Sequence, residues 1–428
     1  MDKHVIDHTI PKEAEGTYYT LPFPVPAGLE RVTVSYSYTR LSRGAGKSAS
    51  PVNIVDIGLM DGDGRFLGWS GSARNMVFVG PYAATEGYLM TDIAPGEWHI
   101  LVGAYRIPPG GLTVRYEIGY TPQTSRWLTG DLHMHSTASD GQHDIYTLTK
   151  MALKAGLDFI AVANHNNYSE NFHLPVVPGL TLIPAVEWTH YRGHMNFFGV
   201  NAPFDNSFIA NNEEEMRVLI AHARAKGALI SVNHPKCKLC PYLWQSEDTF
   251  DCVEVWNSPM RGANIKAIRW WHGMLTGGRK LPLIGGSDYH KDWHPVRFAR
   301  PVTRVYAETP AADTILAATA QGHSYVTTSA RGISLGLNCG TAMMGDTAIW
   351  REGMTVSVQA DRLPPGVRLK LVTSEGTAAV WKPAPSGVSA DVSVAASWRF
   401  AYLVAALPLF GQDYVRAISN PIYFSKES

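Results

Sequence analysis

Polar and apolar positions alternate in short runs over the first part of the chain. Arg31-Val32-Thr33-Val34-Ser35-Tyr36-Ser37-Tyr38 and Val52-Asn53-Ile54-Val55-Asp56-Ile57-Gly58-Leu59 have the two-residue period of half-buried strands. Turn clusters such as Asp61-Gly62-Asp63-Gly64 and Ala94-Pro95-Gly96-Glu97 separate these runs, and no amphipathic helix of useful length interrupts them. Residues 1–125 are therefore expected to form a β-sandwich ending in the linker Thr121-Pro122-Gln123-Thr124-Ser125. Asp61-Gly62-Asp63-Gly64 lacks the downstream glutamate of a calcium loop and is expected to be a hairpin turn.

The pattern changes at Trp127. Strand-like and helix-like segments alternate up to about residue 330, which argues for a parallel βα architecture. Asp144–Ala155 reads as a helix with Leu148, Met151, Ala152 and Ala155 on one face and Gly156 as its stop. Asn212 caps a second helix, whose first turn is Glu213-Glu214-Glu215 and whose apolar face is Met216, Leu219, Ile220 and Ala223. His222 falls on its outer side. Ala311–Gln321 reads as a further helix. Strands are expected at Asp158–Ala163, Thr181–Trp188, His194–Val200 (after a tight turn), Ala228–Asn233, Cys252–Trp256 and Leu281–Ile284. From about Arg331 short β runs return, giving a small C-terminal β domain over 331–428. The fold class is α/β, with a barrel over 126–330 flanked by the two β segments.

Composition narrows the function. Thirty-seven basic and 37 acidic side chains cancel, so the chain carries no electrostatic footprint for nucleic acid or anionic lipid. The start has no signal-peptide core, and the most apolar run, Ala401–Phe410, is half a membrane span and contains Pro408. A soluble, cytoplasmic protein acting on a small molecule is expected; the oligomeric state is left open. Cys237 and Cys240 have the spacing of half a zinc site without a second pair; they are expected to be reduced thiols on a loop, with a role at the site beside His234 as the alternative.

Candidate chemistry gathers at the predicted strand ends. In Gly130-Asp131-Leu132-His133-Met134-His135, alternate side chains share a face, so His133 and His135 point the same way, with Asp140 on the loop beyond. Asn164-His165, Glu187, Gly193-His194-Met195-Asn196, Asn233-His234-Pro235 and Ser287-Asp288-Tyr289-His290 close or follow other strands. Barrel enzymes carry their reactive groups at such ends. A lone histidine is usually structural; six histidines and three carboxylates at successive ends favour a metal cluster. Nine donors exceed one ion's need, so two or three divalent ions are expected, with zinc, manganese or iron suiting nitrogen and oxygen ligands. The chemistry expected is hydrolysis by a metal-bridging hydroxide.

These motifs (His-x-His, Ser-Asp-Gly, Asn-His, Gly-His-x-Asn, His-Pro and Asp-x-His) resemble those of the PHP metallohydrolases across residues 127–330. Glu187-Trp188-Thr189, Gly193-His194-Met195-Asn196 and Asn420-Pro421-Ile422-Tyr423 are similar to the group named for the carbaryl hydrolases CehA and McbA. The resemblance implies a distorted (β/α)7 barrel. It implies a first metal on His133, His135, Glu187 and Asp288, and a second bridged by Glu187 and held by His194 and His234. Asp140, His165 and His290 would hold a third, and Glu187, Asp288 and His194 would serve catalysis. Asn164 departs from the family's usual Asp, which bears on the third site or on His165. An ester, amide or carbamate with an apolar portion is the expected substrate; a small phosphoester, or a non-catalytic binding role, is the alternative. Trp188, Tyr191, Tyr242, Trp244, Trp256, Met260, Trp270, Trp271 and Trp293 near strand ends favour an apolar group, although each singly is expected to be packing. Arg192, Lys236, Lys238, Arg261 and Lys291 in the same loops favour a phosphate.

Overall fold

The computed structural model describes residues 3–40, 53–205, 207–382, 387–409 and 411–426. The chain divides into two compact units, 1–124 and 125–428.

The first unit is two four-stranded antiparallel sheets. One runs Lys3–Ile10, Leu112–Pro122, Leu29–Ser37, Met76–Val79; the other runs Tyr18–Val25, Gly96–Arg106, Ile54–Met60, Phe66–Gly71. Alternate residues point inward, so Val32, Val34 and Tyr36 meet Trp98, Ile100 and Val102 in one core, as the two-residue period requires. Asp61 closes the hairpin between two of these strands: its Oδ1 accepts from the Asp63 and Arg65 amides at 3.1 and 2.8 Å.

The second unit opens with β1 (Arg126–Met134), α1 (Ile145–Ala155), β2 (Phe159–Val162), β3 (Thr181–His190) and β4 (Gly193–Phe198). It continues with α2 (Glu213–Ala225), β5 (Leu229–Asn233), β6 (Cys252–Asn257), α3 (Gly262–Thr276), β7 (Leu283–Gly286), β8 (Val302–Ala307), α4 (Ala312–Gln321) and β9 (Ser324–Thr327). The predicted Asn212 cap and Gly156 stop both form, and Asp144, expected inside α1, is its N-cap. Asp144 accepts from the Thr147 amide at 2.7 Å and Gly156 takes the left-handed conformation, while Asn212 accepts from the Glu215 amide at 3.0 Å. Met216, Leu219, Ile220 and Ala223 are the buried face of α2, and each large side chain contributes about 1.5–3 kcal/mol. Helix α3 had no expectation in the sequence: Arg261 at its N-cap makes no side-chain capping bond, and Gly262 opens it.

A (β/α)7 barrel is not evident, and the unit is richer in strands than that arrangement. The sheet runs β7-β6-β5-β4-β3-β2-β1-β8-β9 and continues through Gln412–Ser419 and Phe400–Leu409 into the C-terminal segment. Strands β3, β4 and β5 pair antiparallel: the turn after His190 is too short for a crossover helix, so β4 runs back along β3, and β5, reached through α2, pairs antiparallel with it. Residues 331–428, expected as a separate domain, lie within the second compact unit. Ala401–Leu409 belongs to a strand, and no helix among the described residues is long and apolar enough to cross a membrane. Phe410 lies outside the described residues.

The ends of β1 and β7 nevertheless meet. The Ser287 amide donates to Asp131 Oδ1 at 3.0 Å, the Asp288 amide to the His133 carbonyl at 2.7 Å, and the His135 amide to the Tyr289 carbonyl at 2.9 Å. Gly286 permits this approach, since a Cβ there would stand 2.4 Å from the His133 Cβ. Curling the sheet in this way gathers the strand ends onto one rim.

Candidate metal centre

All nine sequence-selected residues fall together at that rim, and Glu187 is the hub. It is fully buried inside β3, where it pairs with Asn196 of β4. Its Oε1 lies 3.4 Å from His133 Nε2, 3.2 Å from His194 Nδ1 and 3.3 Å from His234 Nε2. Its Oε2 lies 2.8 Å from His165 Nδ1 and 3.6 Å from His135 Nε2. Asp288 Oδ1 is 3.4 Å from His133 Nε2 and 3.1 Å from His135 Nε2. Further out, Asp140 Oδ1 is 3.6 Å from His165 Nε2 and 3.3 Å from His290 Nε2, and His135 stacks on both imidazoles.

The 3.4–3.6 Å spacings among these are long for hydrogen bonds and match donors that share an ion. Tetrahedral ligand atoms about 2.0–2.1 Å from a shared ion stand about 3.3 Å apart. His133 Nε2 is buried with no hydrogen-bond partner among the described residues, yet faces carboxylate oxygens at 3.4 Å on two sides. An orphaned ring nitrogen between two carboxylates is the donor geometry of a ligand set. Donor atoms converge in the sets His133–His135–Glu187, His133–His234–Asp288, His165–Glu187–His194 and His135–Asp140–His165–His290.

The charges are strongly coupled. Burial raises the Glu187 carboxyl, but the His133, His165 and His194 imidazoles outweigh it and hold Glu187 well below the usual range. Asp288 is likewise held down by His133 and His135 against its burial. Burial lowers His133, yet Glu254, Asp288 and Glu187 hold it well above its ordinary value. His234 is also raised, by Cys240 and Glu187 against burial. His135 is pushed down to about 4, chiefly by burial. Strain accompanies these groups: Asn166, His234, Ser258 and Asp288 all have positive φ, a conformation that non-glycine residues adopt at a cost and that gathers at functional sites.

Sequence reasoning passed over Glu254 behind the ligands, whereas Asn233 and Cys240 are marked in the sequence by their places beside His234. Glu254, from β6, puts Oε1 at 2.9 Å from His133 Nδ1 and accepts from the His234 amide at 2.9 Å through Oε2. A lone acid in the apolar run Cys252-Val253-Glu254-Val255-Trp256 was the available signal. Asn233 donates to Glu187 Oε1 at 2.8 Å, and Thr189 Oγ1 lies 2.6 Å from His165 Nδ1. Cys240 is a free thiol, and its Sγ lies 3.5 Å from His234 Nδ1, the ring nitrogen turned away from Glu187.

Asn164 does not face the cluster. Its Oδ1 accepts from the Ser136 amide at 2.9 Å and from Ser139 Oγ at 2.9 Å, and its Nδ2 donates to Glu170 Oε2 at 2.8 Å. The aromatic wall is also redistributed: Trp188, Tyr242, Trp244, Trp256 and Trp271 are core residues. Of the cations, Arg192 lies over Trp244, Lys236 over Trp270 and Lys291 over Trp293. A cavity of about 570 Å³ does open beside His194, lined by Tyr191, Phe208, Ile209 and Leu239. His222 sits elsewhere, on the outer side of α2, with Nδ1 2.6 Å from Asp205.

No family model matches the chain. Among curated proteins, DNA polymerase/3'-5' exonuclease PolX of Bacillus subtilis is 41% identical over 54 residues, a match taking in 13% of this chain and 9% of that protein. Among solved structures, a two-domain protein from Bacteroides vulgatus containing a predicted PHP-like metal-dependent phosphoesterase is 18% identical, covering 69% of this chain and 95% of that one with a TM-score of 0.42. The lesion-specific endonuclease PfuEndoQ of Pyrococcus furiosus is 15% identical over 51% of this chain and 63% of its own, with a TM-score of 0.35.

Proposed function

We propose that this protein is a metal-dependent hydrolase of the PHP type that cleaves an ester, amide or carbamate of a small molecule with an apolar portion. The observation that carries the reading is the position of Glu187, which reaches five imidazoles through its two oxygens while fully buried. His133, His135, Glu187 and Asp288 would hold one ion, His194 and His234 a second across Glu187, and Asp140, His165 and His290 a third. Divalent ions there supply Lewis-acid activation of water and of the bond attacked.

The chain's own groups do the rest. Asp288, held below the ordinary carboxylate range, stays ionised and can accept a proton from an approaching water. His194 lies between Glu187 and the open cavity, where a leaving group would stand. Tyr191 and Leu239, 98% and 95% exposed on that cavity, offer apolar surface that a substrate would cover. Rim cations stacked on tryptophans are turned to packing, which weighs against a phosphate there. The runner-up is a small-molecule phosphoesterase, favoured by Arg261, whose guanidinium donates to Asn257 Oδ1 at 3.2 Å beside Glu254.

A panel of naphthyl esters and carbamates against aryl phosphates, at fixed added zinc or manganese, tests the reading. Turnover of carbamates or esters is expected; turnover of phosphates alone reverses the ranking. No turnover at all, in a protein that chelation unfolds, would favour a scaffold instead.

A further inference from the structure

A second cavity, of about 280 Å³, sits at the same rim on the side of β6 and β7. Three arginines line it: Arg297 and Arg300 from the loop after β7, and Arg416 from the strand Gln412–Ser419. No carboxylate lines it, and none of the three guanidinium groups has an ion-pair or hydrogen-bond partner among the described residues. The three arginines are exposed, so water screens their mutual repulsion, and an anion between them would be attracted by all three. Guanidinium groups also match carboxylate and phosphate oxygens with paired N–H donors.

The remaining lining is mostly apolar, with Met260 and Tyr414 half-buried in it and Pro301 and Trp256 buried, beside Ser258 and Thr328. Trp256 is fixed, since its Nε1 donates to the Ser258 carbonyl at 3.1 Å. The cavity backs onto the metal centre through Ser258, which also lines it and whose Oγ donates at 2.7 Å to the carbonyl of Ser287, the residue before Asp288. Nothing in the nine-residue cluster uses these arginines.

We infer that the cavity lined by Arg297, Arg300 and Arg416 is an oxyanion site that takes the carboxylate or phosphate of a small molecule carrying an apolar portion. The site stands on its own geometry and does not depend on which bond the neighbouring centre cleaves. Its volume is near the lower end of the roughly 300–1,000 Å³ of small-molecule pockets, so it suits one end of a ligand.

Fluorine NMR titration of the purified full-length chain tests this with 4-fluorobenzoate, 4-fluorophenyl phosphate and neutral 4-fluorobenzamide. Saturable binding of at least one anion is expected, weakened at least tenfold in Arg300→Gln and in the Arg297→Gln/Arg416→Gln double variant. The amide should bind weakly and equally to all three proteins. The tighter of the two anions identifies the source of the oxyanion. Unchanged melting temperatures establish that the exposed arginines were replaced without unfolding. Anion binding that survives in the double variant and in Arg300→Gln, or no saturable binding of either anion, overturns the assignment. Because the readout is binding, either outcome leaves the hydrolase reading to its own test.

Discussion

Glu254 Oε1 stands 2.9 Å from His133 Nδ1, deep behind the metal centre, with both side chains 1% exposed. This contact selects the tautomer that carries its proton on Nδ1 and leaves Nε2 to face Glu187 and Asp288. Through its other oxygen the same carboxylate fixes the His234 backbone. Glu254→Gln is therefore expected to lower metal affinity about 10–100-fold with the secondary structure kept. Competition with a chromogenic chelator measures it, and unchanged affinity would remove Glu254 from the site.

Glu187→Gln should cut turnover by on the order of a thousandfold, about 4 kcal/mol, and reduce the bound metal per chain. His222→Ala is the contrast. His222 pairs with Asp205 on an exposed surface, so its loss should change stability by no more than about 0.5 kcal/mol and leave activity intact. Steady-state kinetics with elemental analysis of both variants checks the pair, and near-normal turnover in Glu187→Gln would contradict its assignment.

Metal loading should release protons. In the metal-free chain, against burial, Glu254, Asp288 and Glu187 raise His133 and Cys240 and Glu187 raise His234 above their ordinary value, so protons compete with a cation at both. For such raised groups the stabilisation is complete below the unfolded pKa and disappears as pH climbs through the folded one. Metal affinity is thus expected to rise with pH from 6 to 8. Calorimetry in buffers of different ionisation enthalpy counts the protons, and a count of zero would contradict the arrangement.

Asp131 gives a second pH signature. Burial pushes its carboxyl up to about 7 from 3.8, although the Ser287 and His133 amides oppose this. Between those values the folded chain keeps a proton that the unfolded chain releases, so this contribution is full below the unfolded value and fades as pH rises to about 7. Asp131→Asn does not titrate. In chelated protein its stability relative to wild type should therefore improve from pH 4 to 7 and then level off, as urea unfolding at several pH values would show. A flat difference would count against a buried, raised Asp131.

Asn164→Asp, the change toward the residue usual in PHP proteins, is expected to destabilise this chain by about 1–3 kcal/mol. It would replace the Nδ2 donor to Glu170 Oε2 with a second carboxylate oxygen. Denaturant unfolding measures the cost, and a gain in stability would mean that Glu170 is not the partner that requires an amide.

The sequence by itself determined a good deal. Alternation set the two sheets of residues 1–124, and capping side chains set α1 and α2, because both signals are local. His-x-His, Asn-His, His-Pro and Asp-x-His marked six of the nine clustered residues, and Ser-Asp-Gly, Glu-Trp-Thr and Gly-His-x-Asn marked Asp140, Glu187 and His194, since most lie at or near a strand end. What lies between strands was not legible. The antiparallel β3–β4–β5 order, the merging of the C-terminal strands into the main sheet and the contact of Glu254 with His133 across 121 positions all depend on how distant segments pair. Pairing of that kind is decided by a curled sheet that uses Gly286 to bring β7 against β1, and no local pattern encodes it. The oxyanion cavity has the same origin, because Arg297, Arg300 and Arg416 meet only after two remote segments fold to one rim.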